Sequence, residues 1–304
     1  MIRFIAINMI ALLVSGALAD PPRTNIFAKE NLIAWCIVPY DGGQRTPEQR
    51  AAMLDKLGIH KFAYDYRAKH LPTFDAEITA LEQHQVELSA VWFPDTLNAD
   101  AQFILKTLRA RQLHPQLWVA SYPKPLATDD ATADAETSKL LPVVEAAAAI
   151  GSTVGLYNHG GWFGVPEHQL ILIHRLNALG LKNVGMVYNF HHAHEDIARF
   201  PKVLAEIKSY LLEITLNGMV DNGDKTGREI LPIGYGNREL AMLRAIRESG
   251  YAGPLGILCH TNEDAEARLR DNMDGLKWLT AQLDGAPTRP APRWQTNPLA
   301  QPTN

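Results

Sequence analysis

The run Thr153-Val154-Gly155-Leu156-Tyr157-Asn158, the stretch Pro166 to Leu179 closed by Gly180, and the run Asn183-Val184-Gly185-Met186-Val187-Tyr188-Asn189 decide the fold. The two outer runs are short and almost continuously apolar, the pattern of strands buried on both faces of a parallel sheet. The stretch between them is amphipathic, begins with Pro at a helical first position and stops at Gly. Together they read as one β-α-β unit.

Working outward from that unit, the same alternation recurs until there are eight strands. Leu32 to Val38, Lys61 to Tyr66, Val86 to Phe93 and Gln116 to Ser121 precede it, and Leu211 to Asn217 and Leu255 to Cys259 follow. Helical stretches separate them, the first opened by Thr46-Pro47-Glu48 and stopped at Gly58. Eight such units specify a closed (β/α)8 barrel, an α/β fold of the TIM-barrel type in a single domain over residues 31–284. No G-x-G-x-x-G or Walker sequence opens a helix, which argues against a nucleotide-binding open sheet.

In such a barrel the reactive groups stand where strands run out into the following loops. Five of the eleven histidines fall at these ends: His159 after strand five, His191, His192 and His194 after strand six, His260 after strand eight. Imidazole suits both proton transfer near neutral pH and metal ligation. His159, His192 and His260 are therefore the candidate catalytic residues, and the same three would make an open Zn²⁺ site if they converge. Candidate substrate-binding residues at the same ends are Asp65, Trp92, Lys124, Asn158, Trp162, Asn189, His191 and Asn217. The two tryptophans are of a kind that stacks on a sugar ring or packs under a loop. Asp65 and Arg67 either serve the site or pair with each other on the rim.

Four stretches, 154–162 (VGLYNHGGW), 185–193 (GMVYNFHHA), 214–219 (ITLNGM) and 253–260 (GPLGILCH), resemble the sugar phosphate isomerase/epimerase family, the xylose isomerase-like barrels. The resemblance implies a divalent metal held by carboxylates and a His on strands five to eight, and proton movement beside a sugar carbonyl. The positions that correspond here are Tyr157, Asn189, Asn217 or Thr215, and Cys259 or Leu258, so the anionic ligands are missing. His192 takes the place of a substrate-contacting His. A hard Mg²⁺ or Mn²⁺ ion wants carboxylates; Zn²⁺ is the better match to this rim, and no cofactor is required by the sequence.

The expected function is then an isomerase-, epimerase- or lyase-like enzyme acting on a small carbohydrate, with strand-end histidines as acid and base. His260 or Lys124 would steady the developing enolate oxygen. The alternative is a carbohydrate-binding barrel that has lost its metal site and its catalysis. A glycosidase needs two carboxylates flanking the bond, and Glu213 on strand seven has no evident partner.

The remaining sequence supplies an address and an outer limit. Met1-Ile2-Arg3, the apolar run Phe4 to Val14 and the small residues to Ala19 have the grammar of a signal peptide over residues 1–19, implying export to a periplasm or the medium. The apolar run is shorter than the roughly 20 residues of a spanning helix, so no membrane span is expected after cleavage. Net charge −4 and pI 6.3 leave no basic footprint for nucleic acid. Residues 20–30 read as a lead-in, and 285–304, rich in Pro, Thr, Gln and Asn, as a disordered tail. Cys36 and Cys259 sit in apolar runs and are expected to be buried free thiols.

Overall fold

The structure is a computed structural model that describes residues 25–301. The signal-peptide reading of residues 1–19 lies outside the described residues. Eight parallel strands close in sequence order: β1 Leu32–Trp35, β2 Lys61–Tyr64, β3 Glu87–Phe93, β4 Gln116–Val119, β5 Val154–Tyr157, β6 Val184–Asn189, β7 Leu211–Leu216 and β8 Leu255–Leu258. Closure is made by β1 on β8, with Leu32 opposite Leu255 and Trp35 opposite Leu258.

The helices wrap this barrel: α1 Pro47–Leu57, α2 Phe74–Gln83, α3 Ala99–Arg111, α4 Asp129–Ala148, α5 Gly161–Gly164, α6 Pro166–Ala178, α7 Phe200–Ile207, α8 Glu239–Ser249 and α9 Ala265–Leu283. The entry to α1 is built as its sequence suggests. The Thr46 hydroxyl accepts from Gln49 N, the Gln49 side chain accepts from Thr46 N, and Gly58 leaves the helix in the left-handed conformation. No described helix is long and apolar enough to cross a membrane.

Strand alternation sorts the apolar residues into two cores. One lies between strands and helices; the other fills the barrel, with Ile33, Trp35, Ala63, Ala90, Trp118, Tyr157, Val187 and Leu258. Large inward rings are matched by small neighbours. A Cβ added to Gly155 would come within 2.7 Å of Val187 and 3.0 Å of Trp118. A Cβ on Gly256 would lie 2.1 Å from a carboxylate oxygen of Glu213. Glu213 is therefore housed inside the barrel, where the Thr215 hydroxyl donates to its oxygens at 2.9 Å. Burial pushes its carboxyl up to about 8.

Two expectations need correction. The first strand ends at Trp35 rather than Val38, because Cys36 adopts a left-handed φ of 61° and pairing with β2 stops there. The tail is not disordered as far as it is described. Asp271, buried on α9, accepts from the main-chain amides of Gln295 and Thr296 at 2.8 and 2.9 Å and from the Thr296 hydroxyl at 2.6 Å. The Gln301 side chain bonds the main chain of Ile230 in both directions. Composition could not reveal this, since each contact joins residues at least 24 positions apart. Cys36 and Cys259 are buried and free, as expected.

Candidate active site

The strands open at their C-terminal ends onto a cavity of about 380 Å³. Its floor is aromatic. Trp35 packs edge-on against Trp118 at 4.8 Å between ring centroids, and Trp92 meets Tyr157 at 5.1 Å. Trp35 Nε1 donates to Tyr157 Oη at 3.0 Å, and Asn189 Nδ2 donates to the same oxygen. Burial raises the Tyr157 phenol well above its ordinary range, so it stays neutral.

The wall from β5 carries His159. Gly160 and Gly161, with φ of 74° and 60°, turn the chain sharply after it into α5. Its Nδ1 is 2.9 Å from Tyr122 Oη. The wall from β6 carries His191 and His192 on a tight turn, fixed where His191 N donates to Asn189 Oδ1 at 3.0 Å. Ring centroids are 4.1 Å apart for His159 and His192 and 3.9 Å for His191 and His192. His260, from the end of β8, packs on Tyr40 at 3.6 Å and lies 5.7 Å from His191.

Burial lowers all four imidazoles; neighbouring charges add to the effect, and at His159 a backbone hydrogen bond opposes it. For His260 the value falls to about 3, with Arg67 the next cause. The four rings are uncharged at neutral pH.

The wall from β2 carries Asp65. Its Oδ1 accepts from Val38 N at 3.2 Å, while its buried Oδ2 has no hydrogen-bonding partner. Burial raises this carboxyl to about 7, against the opposing pull of Arg67 and Arg50. Arg67 does not pair with that carboxylate. It donates to the main-chain oxygens of Asp65 and Tyr66 and, at 2.5 Å, to Tyr40 Oη. Behind this wall the buried Arg50–Glu77 pair, at 2.8 Å, joins α1 to α2, and Arg50 also bonds Ile37 O. The loop that completes the mouth is thereby tied to two helices.

The structure thus brings together Asp65, Trp92, His159, His191, His192 and His260 around one cavity. It turns the other expected residues away. Lys124 is exposed and does not line the cavity. Trp162 is buried under its loop, stacked on His168 at 4.3 Å and donating to Asp129 at 2.7 Å. Asn158 is spent on the main chain of Asn189, donating at 3.1 Å and accepting at 2.7 Å. Asn189 serves Tyr157 and His191, and Asn217 donates to Gly218 O and Glu229 O. Side-chain amides at strand ends here satisfy loop backbone, a use their position alone does not distinguish from ligand binding. Cys36, Tyr40, Tyr66 and Tyr122 also line the cavity. The run Tyr64-Asp65-Tyr66-Arg67 was the signal for that part of the lining.

The positions implied for a carboxylate-held metal do not fit such an ion. Tyr157 is a neutral phenol with two donors on it, Asn189 Oδ1 accepts from His191 N, the Thr215 hydroxyl is turned to Glu213, and Asn217, whose buried Oδ1 is unpartnered, is uncharged and does not line the cavity. The Cys259 thiol is buried against Asn272. The three histidines expected to hold zinc, His159, His192 and His260, do not meet as one set of donor atoms. Among the described residues, the ligand-bearing side chains whose donor atoms lie within 4.8 Å of one another are His191, His192 and Glu229. His260 is drawn toward Tyr40 and His159 toward Tyr122 instead.

No protein-family model matches the chain, and no curated protein matches it in sequence. Solved structures do. D-psicose 3-epimerase from Clostridium cellulolyticum H10, solved with D-tagatose, is 15% identical with a TM-score of 0.58, over 82% of this chain and 97% of that one. The 3-keto-D-glucoside 4-epimerase of E. coli is 14% identical with a TM-score of 0.60, over 83% and 99%. A xylose isomerase domain-containing protein from Salmonella typhimurium LT2 is 10% identical with a TM-score of 0.62, over 82% and 98%. The chain shares the (β/α)8 barrel fold of these proteins. At these identities the likeness is one of fold, and the chemistry of the barrel rests on its own cavity.

Proposed function

We propose that the protein is a carbohydrate isomerase or epimerase that moves a proton at a carbon beside a sugar carbonyl. The observation that carries this reading is the pairing of an uncharged imidazole, His159, with a buried carboxyl, Asp65, whose Oδ2 is unpartnered, in one cavity. They stand on different walls, from β5 and β2, so a substrate between them has one group on each face. A neutral imidazole accepts a proton; a carboxyl raised to about 7 can return one. His192, ring to ring with His159, holds the base from one side, while Tyr122 holds it from the other. Arg67 and His260 offer donors to the enolate oxygen. The aromatic floor of Trp35, Trp92 and Tyr157 suits the apolar face of a sugar ring. The sugar epimerases that share the fold support the same choice of substrate class.

The test is solvent exchange. Free ketoses, D-tagatose and D-psicose among them, incubated with the protein in D₂O should gain deuterium beside the carbonyl, followed by NMR. Saturable binding with no exchange would replace the enzyme with a binding protein. We propose further that the protein is exported by residues 1–19; the N-terminus of the protein from its native host should be Asp20. An intact Met1 would overturn that part.

A further inference from the structure

We infer that His191, His192 and Glu229 form a Zn²⁺ site on the β6 side of the cavity. The assignment goes beyond the proposed reaction and does not depend on it.

The first observation is spacing. Two ligands about 2.05 Å from a tetrahedral ion lie about 3.3 Å from each other. His191 Nδ1 and Glu229 Oε1 are 3.4 Å apart, and a donor atom of His192 falls within 4.8 Å of both. The second is an orphan. His191 is 6% exposed, and its Nδ1 is buried with no hydrogen bond, although a carboxylate stands beside it. The two atoms stand 3.4 Å apart without forming a hydrogen bond, and a buried polar atom left this way calls for a partner that the protein itself does not supply. His192 packs its ring on that of His191, with centroids 3.9 Å apart.

The scaffold behind the three ligands is rigid. The turn that presents both histidines is pinned by Asn189 Oδ1 on His191 N. Glu229 sits on the long segment between β7 and α8, and its main-chain oxygen accepts from His194 Nε2 at 3.0 Å and Asn217 Nδ2 at 3.3 Å. His194 and Asn217 do not line the cavity and hold the main chain that carries this carboxylate. Two imidazoles and one carboxylate form a borderline-soft set that favours Zn²⁺ over Mg²⁺ or Mn²⁺, and three protein ligands leave a position open. Both histidines line the cavity, so an oxygen of a bound sugar, carbonyl or hydroxyl, is the ligand class for that position.

Metal binding is measured without any sugar. Chelator-stripped protein is titrated with Zn²⁺ against a chromophoric competitor, and with Co²⁺ for its visible spectrum. One equivalent of Zn²⁺ should bind tightly, with no competition from equimolar Mg²⁺, and Co²⁺ should give the intense bands of a four-coordinate ion. His191→Ala, His192→Ala and Glu229→Gln should each weaken Zn²⁺ by more than the about 10- to 100-fold that loss of an outer hydrogen-bonding partner costs. Asn217→Ala should fall within that smaller range. Glu229→Gln is nearly isosteric and half-exposed, so it decides the matter if a histidine variant misfolds. The inference is overturned if Zn²⁺ binds wild type and Glu229→Gln alike, if Co²⁺ stays six-coordinate, or if His159→Ala and His260→Ala abolish binding while Glu229→Gln does not. The last result would place the ion among the other imidazoles. Failure here would leave solvent exchange by the proposed reaction untouched, since that readout needs no metal assay.

Discussion

Asp65 at the mouth of β2 and Glu239 at the start of α8 are both buried acids, and they teach opposite lessons. Glu239 is saturated. Its two oxygens accept from the amides of Gly236 at 2.8 Å, Gly234 at 2.9 Å, Arg238 at 3.1 Å and Met219 at 3.3 Å. Asp65 has one amide on one oxygen and nothing on the other. Burial raises both carboxyls, yet only one keeps a lone pair facing a cavity. Glu239 is a clamp on its loop, and the proposed reaction draws on the oxygen that Asp65 keeps open beside the cavity.

The sharpest way to break this contrast is substitution at the two open groups of the mouth. Asp65→Asn and His159→Gln should each lower solvent-exchange rate by about 10²- to 10⁴-fold, the usual cost of a lost general acid or base. Asp65→Asn should melt no lower than wild type at pH 8, because it removes a carboxylate that burial disfavours. A large loss of stability with little loss of rate would make Asp65 another clamp.

The pH profile sharpens the contrast at smaller amplitude. The working form of Asp65 is protonated, so exchange should decline as pH rises through about 7. This limb should disappear in Asp65→Asn. The stability sign agrees. The folded-state value lies above the ordinary 3.8 of an aspartate, so the folded chain binds the extra proton. Its contribution is complete below that value and is lost as pH climbs toward about 7. Thermal melts between pH 4 and 8 measure it, and a flat difference between wild type and Asp65→Asn would deny the shift.

Glu239→Gln should do the reverse of Asp65→Asn. It sets an amide NH₂ against main-chain donors and should cost about 1–3 kcal/mol of stability by denaturant unfolding. Exchange per folded molecule should stay at the wild-type rate. The smallest effect belongs to His174, which bonds Tyr210 Oη at 2.9 Å on the outer surface. His174→Ala should change stability by no more than about 0.5 kcal/mol and leave exchange alone; a loss equal to that of His159→Gln would show the imidazole cluster to be incidental.

The barrel was legible because its signals are local. Each strand is a short apolar run, and turns such as Gly58 and Gly180 carry their own conformational reason. The histidines at the mouth were legible for a similar reason, since strand ends fix where a residue emerges. Where it turns after emerging is decided by distant partners. Asn158 belongs to Asn189, Trp162 to Asp129 and His168, and Lys124 to solvent. Glu229 was invisible among candidate ligands because it lies 13 positions past the end of β7 at Leu216 and returns to the cavity only through its loop. The docked tail escaped notice because its anchor, Asp271, lies 24 positions back on α9, beyond the reach of local composition.

The aromatic floor gives the molecule a built-in optical probe. Trp35 stands within 6.1 Å of Trp92 and at 4.8 Å from Trp118, while a phenol bonds its indole nitrogen. Indoles this close exchange excitation and couple their transition moments, so their near-ultraviolet circular dichroism belongs to the cluster rather than to any one ring. Trp35 and Trp92 also line the cavity. A guest with no chromophore of its own therefore announces its arrival through the emission and ellipticity of the floor it rests on.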